Sequence, residues 1–384
     1  MSKFYVIRGE YQPNSAPYNR LNSFLGIFEQ YGIKTELVFL FPNWGGTKPY
    51  IRYKNVNTTY LYEKNKIFNN RILAKLFSWV ITRQFVNKLN AGDKVFICDG
   101  CLNLGPVQRK KGVEVYREVT EHPDVMVWRL KLSKLRFLQS CKKLSGLFVI
   151  STSLKNYFTR IGVPEKKITI VNMTVDPNRF ENVSKSTSVE KYIAYCGTAS
   201  NNKDGVDRLI KAFAIVAQKH KDVKLYIIGR TPSSDDASGN FQLVDSLGIK
   251  DRVVFTGVVL AEQMPQLLTN AIILALARPN NLQAQNGFPT KLGEYLLTRN
   301  PVVVTKVGDI PLFLKDGYNA LLVDPDNIEA FAEKLCWVLE HPDEAKMIGE
   351  KGRDVAIASF NSTIETNKIL NVILREYDKD CSCR

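Results

Sequence analysis

Apolar positions along this 384-residue chain follow two alternating rhythms: short β-branched or aromatic runs, and longer stretches with apolar residues three and four apart. The first half opens with a strand at 3–8 (Phe4, Val6, Ile7), then a loop, then a helix with Leu21, Phe24, Leu25 and Phe28 on one side. A strand at 34–40 follows. Residues 64–90 read as one long basic amphipathic helix, with Ile67, Phe68, Ile72, Leu73, Leu76, Phe77, Val80 and Ile81 on its apolar side and Lys64, Lys66, Arg71, Lys75, Arg83 and Lys88 outside it. A strand within 113–126 is ended by Pro123, and a buried strand within 146–158 runs into Ser-Thr-Ser, which opens the next helix. This alternation predicts a doubly wound parallel sheet.

The Ser- and Lys-rich piece ENVSKSTSVEK at 181–191 reads as a linker, after which the pattern restarts. Strands are expected at 192–197, 224–230, 252–257 and 271–279, and a helix places Val206, Leu209, Ile210 and Phe213 inward. Residues 285–305 read as loop, helix and buried strand. Gly287 and Pro289 mark the loop, Thr290 is the expected N-cap, and Leu292, Tyr295 and Leu296 form the apolar stripe of a helix running to about Arg299. Asn300 is placed in the left-handed position that ends it, Pro301 blocks continuation, and Val302–Thr305 form the strand. Helices fill the stretch from about Ile328 to Tyr377.

The amino end of a short helix is a site for phosphate, because its backbone N–H groups are unshared and its dipole is positive. Lys291 falls in that first turn, where a cation opposes the dipole unless an anion is shared. Glu294 lies off the apolar stripe and is free to face a ligand hydroxyl. An ordinary connection with a solvated Lys and Glu explains these residues equally well.

Charge is unevenly spread. Residues 1–180 hold 29 Lys and Arg against 12 Asp and Glu, whereas residues 181–384 hold 24 against 26. The first half therefore calls for an anionic partner: a membrane surface, an acidic or lipid-phosphate acceptor, or nucleic acid. No apolar run approaches 18 residues, the longest being AIILALA at 271–277, which excludes a transmembrane helix. The first residues lack the apolar core of a secretory signal. Seven scattered cysteines fit a reducing compartment; Cys98 and Cys101 have a CxxC-like spacing with no second pair, and Cys381 and Cys383 lie in the tail. Among three histidines, His122 sits at the carboxyl edge of a predicted strand, where ligands of parallel sheets bind.

The segment GFPTKLGEYL followed by PVVVT resembles the donor-binding segment of retaining GT-B glycosyltransferases of family 4, the "glycosyl transferases group 1" domain. The resemblance implies an α/β fold of the GT-B kind, two Rossmann-like doubly wound domains facing across a cleft. It places an acceptor-side domain at 1–180, the linker at 181–191, a nucleotide-sugar-binding domain at 192–361 and a C-terminal helix and tail at 362–384, the helix crossing back to the first domain. It implies transfer of a hexosyl group from a UDP- or GDP-linked sugar to a cell-surface glycan or lipid-linked acceptor, with retention and with neither metal nor cofactor. The protein is then expected to be cytoplasmic and peripheral on the inner face of an anionic membrane, with no nucleic acid as partner.

Residue by residue, Glu294 matches the second of two family glutamates, the one that binds the ribose, while Asn286 stands where the first is usual. Lys203 matches the phosphate-binding lysine. Thr198 follows the strand glycine Gly197 where an arginine is usual, leaving Arg230, Arg278 and Lys291 as candidates for the second diphosphate cation. The strand-end glycines Gly229 and Gly257 correspond to main-chain contacts with base and ribose, and Gly287, Phe288, Pro289 and Thr290 to the loop over the donor. His122 is similar to the family histidine that reaches the donor sugar. Asn14, Ser15 and Ala16 stand where first-loop glycines approach the diphosphate and the acceptor. His122, Lys203 and Glu294 are the candidate catalytic residues. An epimerase or hydrolase on the same fold, drawing on Glu118 and Glu121, and a catalytically silent nucleotide-sugar-binding protein remain as alternatives.

Overall fold

The computed structural model describes residues 2–10, 15–41, 53–61, 73, 78–98, 105–128, 131–186, 190–231 and 239–374. Asn14, Cys101, Cys381, Cys383, residues 375–377 of the last expected helix and, Leu73 apart, residues 64–77 of the expected long helix lie outside the described residues. The chain divides into two compact units, one of residues 1–172 with 362–384 and the other of residues 173–361.

The first unit is built on seven parallel strands: β1 (Phe4–Arg8), β2 (Thr35–Phe39), β3 (Val56–Tyr60), β4 (Lys94–Ile97), β5 (Glu114–Val119), β6 (Gly146–Val149) and β7 (Ile168–Ile170), in the order β3-β2-β1-β4-β5-β6-β7. The central strands are apolar on both faces because helices cover both; every residue of β1 is buried. The sheet order reverses at β1, which pairs with β2 on one side and β4 on the other. The crevice outside the carboxyl ends of β1 and β4 is therefore the place where such a sheet binds ligands.

Helix Ala16–Gln30 starts at Ser15, whose Oγ accepts the Tyr18 N–H at 3.3 Å, with Pro17 in its first turn. It buries Leu21, Phe24, Leu25 and Phe28. Ile369, Leu370 and Ile373 of the last helix, Ser362–Ile373, complete the same core. The region expected to be helical over 64–90 is helix from Ser78 to Lys88.

Buried polar groups tie this unit together. Arg20 pairs with Glu118 at 2.7 Å and donates to the carbonyls of Val171 (2.9 Å) and Asn172 (2.5 Å). Glu365 accepts the Asn172 N–H at 2.7 Å, the Asn172 side-chain amide at 3.2 Å and Lys368 Nζ at 2.6 Å. Both ends of the unit's excursion into the second unit are thus fastened to one carboxylate.

The second unit holds six parallel strands: β8 (Tyr192–Cys196), β9 (Lys224–Ile228), β10 (Val253–Gly257), β11 (Ile273–Leu276), β12 (Val302–Thr305) and β13 (Leu321–Val323), in the order β10-β9-β8-β11-β12-β13. Its order reverses at β8. Residues 173–180 group with this unit rather than with the first, because Val175 pairs with Asn361 and donates to the Phe360 carbonyl at 2.8 Å. Helix Val206–Lys219 buries Val206, Leu209, Ile210 and Phe213 as its period required.

Candidate functional site

The carboxyl ends of β8 and β9 close onto each other through two glycines. Gly197 donates to the Ile228 carbonyl at 2.8 Å, and Gly229 donates to the Gly257 carbonyl at 3.1 Å. Gly229 has φ +124°, and a Cβ there would stand 2.4 Å from the Gly197 carbonyl oxygen. Gly197 has φ +133°, and its Cβ would stand 2.6 Å from Lys291 Nζ. Only glycine lets these strand ends approach each other and the lysine. Gly257 is exposed at the end of β10, where the register with β9 shifts.

Helix Thr290–Leu297 brings Lys291 to this edge. Pro289, not Thr290, occupies the N-cap position, and no side chain caps the helix. Leu292, Tyr295 and Leu296 are buried as expected, and the Tyr295 hydroxyl accepts the Cys196 N–H at 2.6 Å, pinning the helix to the end of β8. The helix stops at Leu297, two residues short of the expected Arg299. Arg299, not Asn300, takes the left-handed conformation, with φ +65°. The Asn300 amide is instead committed to the Leu268 and Thr269 carbonyls at 3.1 and 3.0 Å.

Lys291 is half-buried and paired. Its Nζ meets Asp204 Oδ2, lies 2.8 Å from the Tyr195 hydroxyl and stands 4.3 Å above the Tyr195 ring. Tyr195 Oη is also 2.7 Å from Asp204 Oδ2 and from the Thr198 carbonyl. Burial pulls the lysine below its ordinary pKa, against the pull of Asp204. Burial pushes the Asp204 carboxyl up, but Lys291, with Arg278 behind it, outweighs this and leaves it below its usual value. Burial and Asp204 raise the Tyr195 phenol well above its own. The result is an ion pair between a half-buried lysine and a buried carboxylate, with a neutral phenol beside it.

The remaining expected donor residues divide into three groups. Lys203 is half-buried on the short helix Asn201–Asp204, whose cap is Ser200, and Arg230 is exposed, its carbonyl accepting the Ala199 N–H at 2.8 Å. Arg278 is buried and structural: its Nε donates to the Lys203 carbonyl at 3.3 Å and its Nη1 to the Gly287 carbonyl at 3.5 Å. Asn286 is also turned inward, donating to the Leu282 carbonyl at 2.9 Å. Gly287, Phe288 and Pro289 are buried, with the Phe288 ring packed against Phe313 and Phe360 at 5.7 and 5.4 Å.

Glu294 is not the unengaged carboxylate expected of it. It forms an ion pair with Arg179 while keeping 23% of its side chain exposed. Arg179 comes from the turn Pro177–Phe180, 115 residues earlier. Asp204, Tyr195 and Arg179 were all missed in the sequence. The signal for Asp204 was an acid set directly before Gly205 at a helix start; Arg179 gave none.

In the first unit, His122 lies beyond the carboxyl end of β5 as expected and is buried. Its Nδ1 accepts the Asp124 N–H at 3.1 Å, and its ring meets the Tyr157 ring at 4.3 Å. Burial lowers its pKa, leaving a neutral ring with its proton on Nε2. Ser15 caps its helix and Ala16 begins it. Glu118, an acid–base candidate for an epimerase, is instead held by Arg20. Arg8, which sequence reasoning passed over, ends β1 with its guanidinium turned to the carbonyls of Pro17 and Cys98.

Comparison with known proteins places these observations. The family model described as "Glycosyl transferases group 1" matches residues 190–341. The MMP alpha-(1->4)-mannosyltransferase of Mycolicibacterium hassiacum is 24% identical over 279 residues, covering 68% of this chain and 65% of that protein. The poly(ribitol-phosphate) alpha-N-acetylglucosaminyltransferase of Staphylococcus aureus is 21% identical over 340 residues, covering 84% and 64%. The matched part thus spans just under two thirds of either relative. The crystal structure of Anabaena HepE in complex with UDP superposes with a TM-score of 0.76 at 17% identity, over 98% of this chain and all of that one. The chain accordingly has the GT-B fold of two Rossmann-like units, and its residues 190–341 match the glycosyl transferases group 1 family model.

Proposed function

We propose that this chain is a metal-independent, retaining glycosyltransferase that moves a sugar from a UDP- or GDP-linked donor to a cell-surface glycan or lipid-linked acceptor. The observation that carries this reading is Lys291, a half-buried cation on a helix amino end beside the glycine-lined ends of β8 and β9, within the segment that the family match covers. Both relatives are named for α-linked transfer, and HepE was crystallised with UDP.

In this mechanism Lys291, Lys203 and the amino end of helix Thr290–Leu297 neutralise the leaving diphosphate. Glu294 exchanges Arg179 for the ribose hydroxyls. His122 donates from Nε2 to a sugar hydroxyl. The bond between the anomeric carbon and the diphosphate oxygen breaks, the acceptor oxygen bonds to the same face, and its proton passes to the departing phosphate.

An exposed apolar and basic surface on the first unit, with Val127, Leu132 and Leu135 beside Lys131 and Arg136, supports a cytoplasmic enzyme working against an anionic membrane. No helix among the described residues is long and apolar enough to cross one. Flotation with anionic liposomes is expected at low salt and release at high salt; binding indifferent to lipid charge overturns the membrane assignment.

The decisive experiment incubates the purified chain with a panel of UDP- and GDP-sugars and glycan or lipid-linked acceptors, with and without EDTA. Transfer with an unchanged anomeric configuration, insensitive to EDTA, is expected. An inverted product or loss with EDTA overturns the corresponding part of the proposal. Release of free sugar or an epimer moves the chain to the hydrolase or epimerase class, and tight donor binding without turnover makes it a silent nucleotide-sugar binder.

A further inference from the structure

His122 Nδ1 meets two groups of opposite character, and both belong to Asp124. The Asp124 N–H donates to it at 3.1 Å, which requires a lone pair on Nδ1 and leaves the ring proton on Nε2. The Asp124 carboxylate stands 3.9 Å from the same nitrogen at Oδ2, just beyond hydrogen-bond range. Closer in, it would call the proton to Nδ1 instead. The N–H is fixed by a turn in which Val125 donates to the His122 carbonyl at 3.0 Å. The carboxylate can rotate about its side-chain bonds unless something holds it.

Lys134 holds it. This lysine, on helix Lys131–Cys141, pairs through Nζ with Asp124 Oδ1 and keeps the carboxyl below its usual range, hence ionised at neutral pH. Trp128 keeps loop and helix in place: Nε1 donates to the Pro123 carbonyl at 2.6 Å, and the ring packs on Phe137 of the same helix at 5.1 Å. Burial is the main cause of the low His122 pKa; Asp124 pulls it up, and Lys134 pulls it down again. The other titratable group against the ring, among the described residues, is Tyr157 of helix Thr152–Arg160, its ring edge-on at 4.3 Å and its phenol kept protonated by burial. The side chains of Lys134 and Asp124 are 32% and 45% exposed, and pairs so wet add little to stability. The effect of this pair is therefore to be sought in the ring beside it.

We propose that Lys134 is a positioning residue: by holding the Asp124 carboxylate off Nδ1, it keeps the proton of His122 on Nε2 and so makes that nitrogen a hydrogen-bond donor. Without Lys134 the carboxylate turns to Nδ1, the proton relocates there by exchange with water, and Nε2 is left with a lone pair. The neutral ring keeps one proton throughout; only the nitrogen that donates has changed. What the donor serves rests on the glycosyl-transfer reading, in which Nε2 meets a sugar hydroxyl. The choice of tautomer does not.

The tautomer is read from the ring nitrogens of the 15N-labelled full chain, because protonated and bare nitrogens resonate far apart. His122 is one of three histidines and is assigned by its loss in H122Q. Near neutral pH the wild type is expected to carry the proton on Nε2. K134Q is expected to carry it on Nδ1 and to titrate at higher pH, with melting close to the wild type. K134R should keep the wild-type pattern, and K134Q/D124A should restore it. An unchanged tautomer and titration in K134Q overturns the proposal, as does a shift that persists in K134Q/D124A. Ligand binding forms a separate arm. K134Q should bind UDP or GDP as the wild type does and the matching nucleotide sugar about tenfold more weakly, the scale of one lost hydrogen bond. Equal nucleotide-sugar affinity beside a shifted tautomer overturns the sugar contact of Nε2. A wild type that binds neither nucleotide nor nucleotide sugar defeats the transfer reading, while the spectra still decide the role of Lys134.

Discussion

The carboxyl edges of the two sheets solve one electrostatic problem in opposite ways. At the second edge two of the charges named above have partners from their own unit: Lys291 has Asp204 and Glu294 has Arg179. At the first edge Arg8 meets, among the described residues, the carbonyls of Pro17 and Cys98, and His122 is held neutral. A ligand reaching the second edge exchanges counter-ions with the protein, so its binding energy is a difference between two pairings. A ligand reaching the first edge meets a guanidinium held by neutral carbonyls. Pre-paired charges keep a site folded when it is empty, at some cost in affinity; a charge held by neutral groups does the reverse.

The sharpest way to break the comparison is at the pair of Lys291 and Asp204. Lys291→Met is expected to lose about 3–5 kcal/mol in urea unfolding, because Asp204 is left buried without its cation. The Lys291→Met/Asp204→Asn double variant should recover most of that, and nucleotide binding should stay lost in both. Full recovery of nucleotide binding in the double variant would remove Lys291 from the donor site.

Gly197→Ala comes next. The new methyl meets Lys291 Nζ at a backbone conformation that side chains rarely adopt, for an expected loss of about 1–3 kcal/mol. Weaker nucleotide binding should accompany it, and unchanged stability would mean that the strand end relaxes freely.

The pair of Glu294 and Arg179 is partly exposed and contributes no more than about 1 kcal/mol. Its removal therefore separates stability from function. Glu294→Gln should weaken nucleotide binding with little change in melting, whereas Arg179→Ala, by freeing the carboxylate, should tighten it. Weaker binding in Arg179→Ala would show that the arginine itself touches the donor.

The mildest effect concerns His122. Burial lowers its pKa from the ordinary 6.5, so the unfolded chain binds the proton more readily than the folded one. Stability contributed by the neutral ring is complete above 6.5 and declines as pH falls from there toward the folded value. Melting temperature should drop over that window, and His122→Gln should flatten the drop. An unchanged slope would place the proton uptake elsewhere.

Local pattern carried the architecture and missed the partners. Val302–Thr305 and Phe4–Arg8 were legible because strands covered on both faces need unbroken apolar runs, and Val206–Lys219 because one face of a helix has to be oily. Lys291 and Glu294 were legible as residues near a helix amino end. Their counter-ions were not, since Asp204 and Arg179 lie 87 and 115 residues away and no periodicity encodes such a pairing. The helix end was misjudged for a tertiary reason. The Asn300 side chain is committed to Leu268 and Thr269, and the chain turns at Arg299, whose carbonyl lies against Gly349 so closely that a Cβ there would stand 2.2 Å from it.

The helix Ser362–Ile373 carries one consequence for how the molecule comes into being. It supplies Ile369, Leu370 and Ile373 to a core whose other walls are made more than three hundred residues earlier, by Phe24 and Phe28. On the ribosome the first unit to be synthesised is thus the last that can close, and the second can finish while the first still shows an oily face. A chain that stops at Asn361 would keep the younger half and release the older one unsealed, as prey for chaperones and proteases.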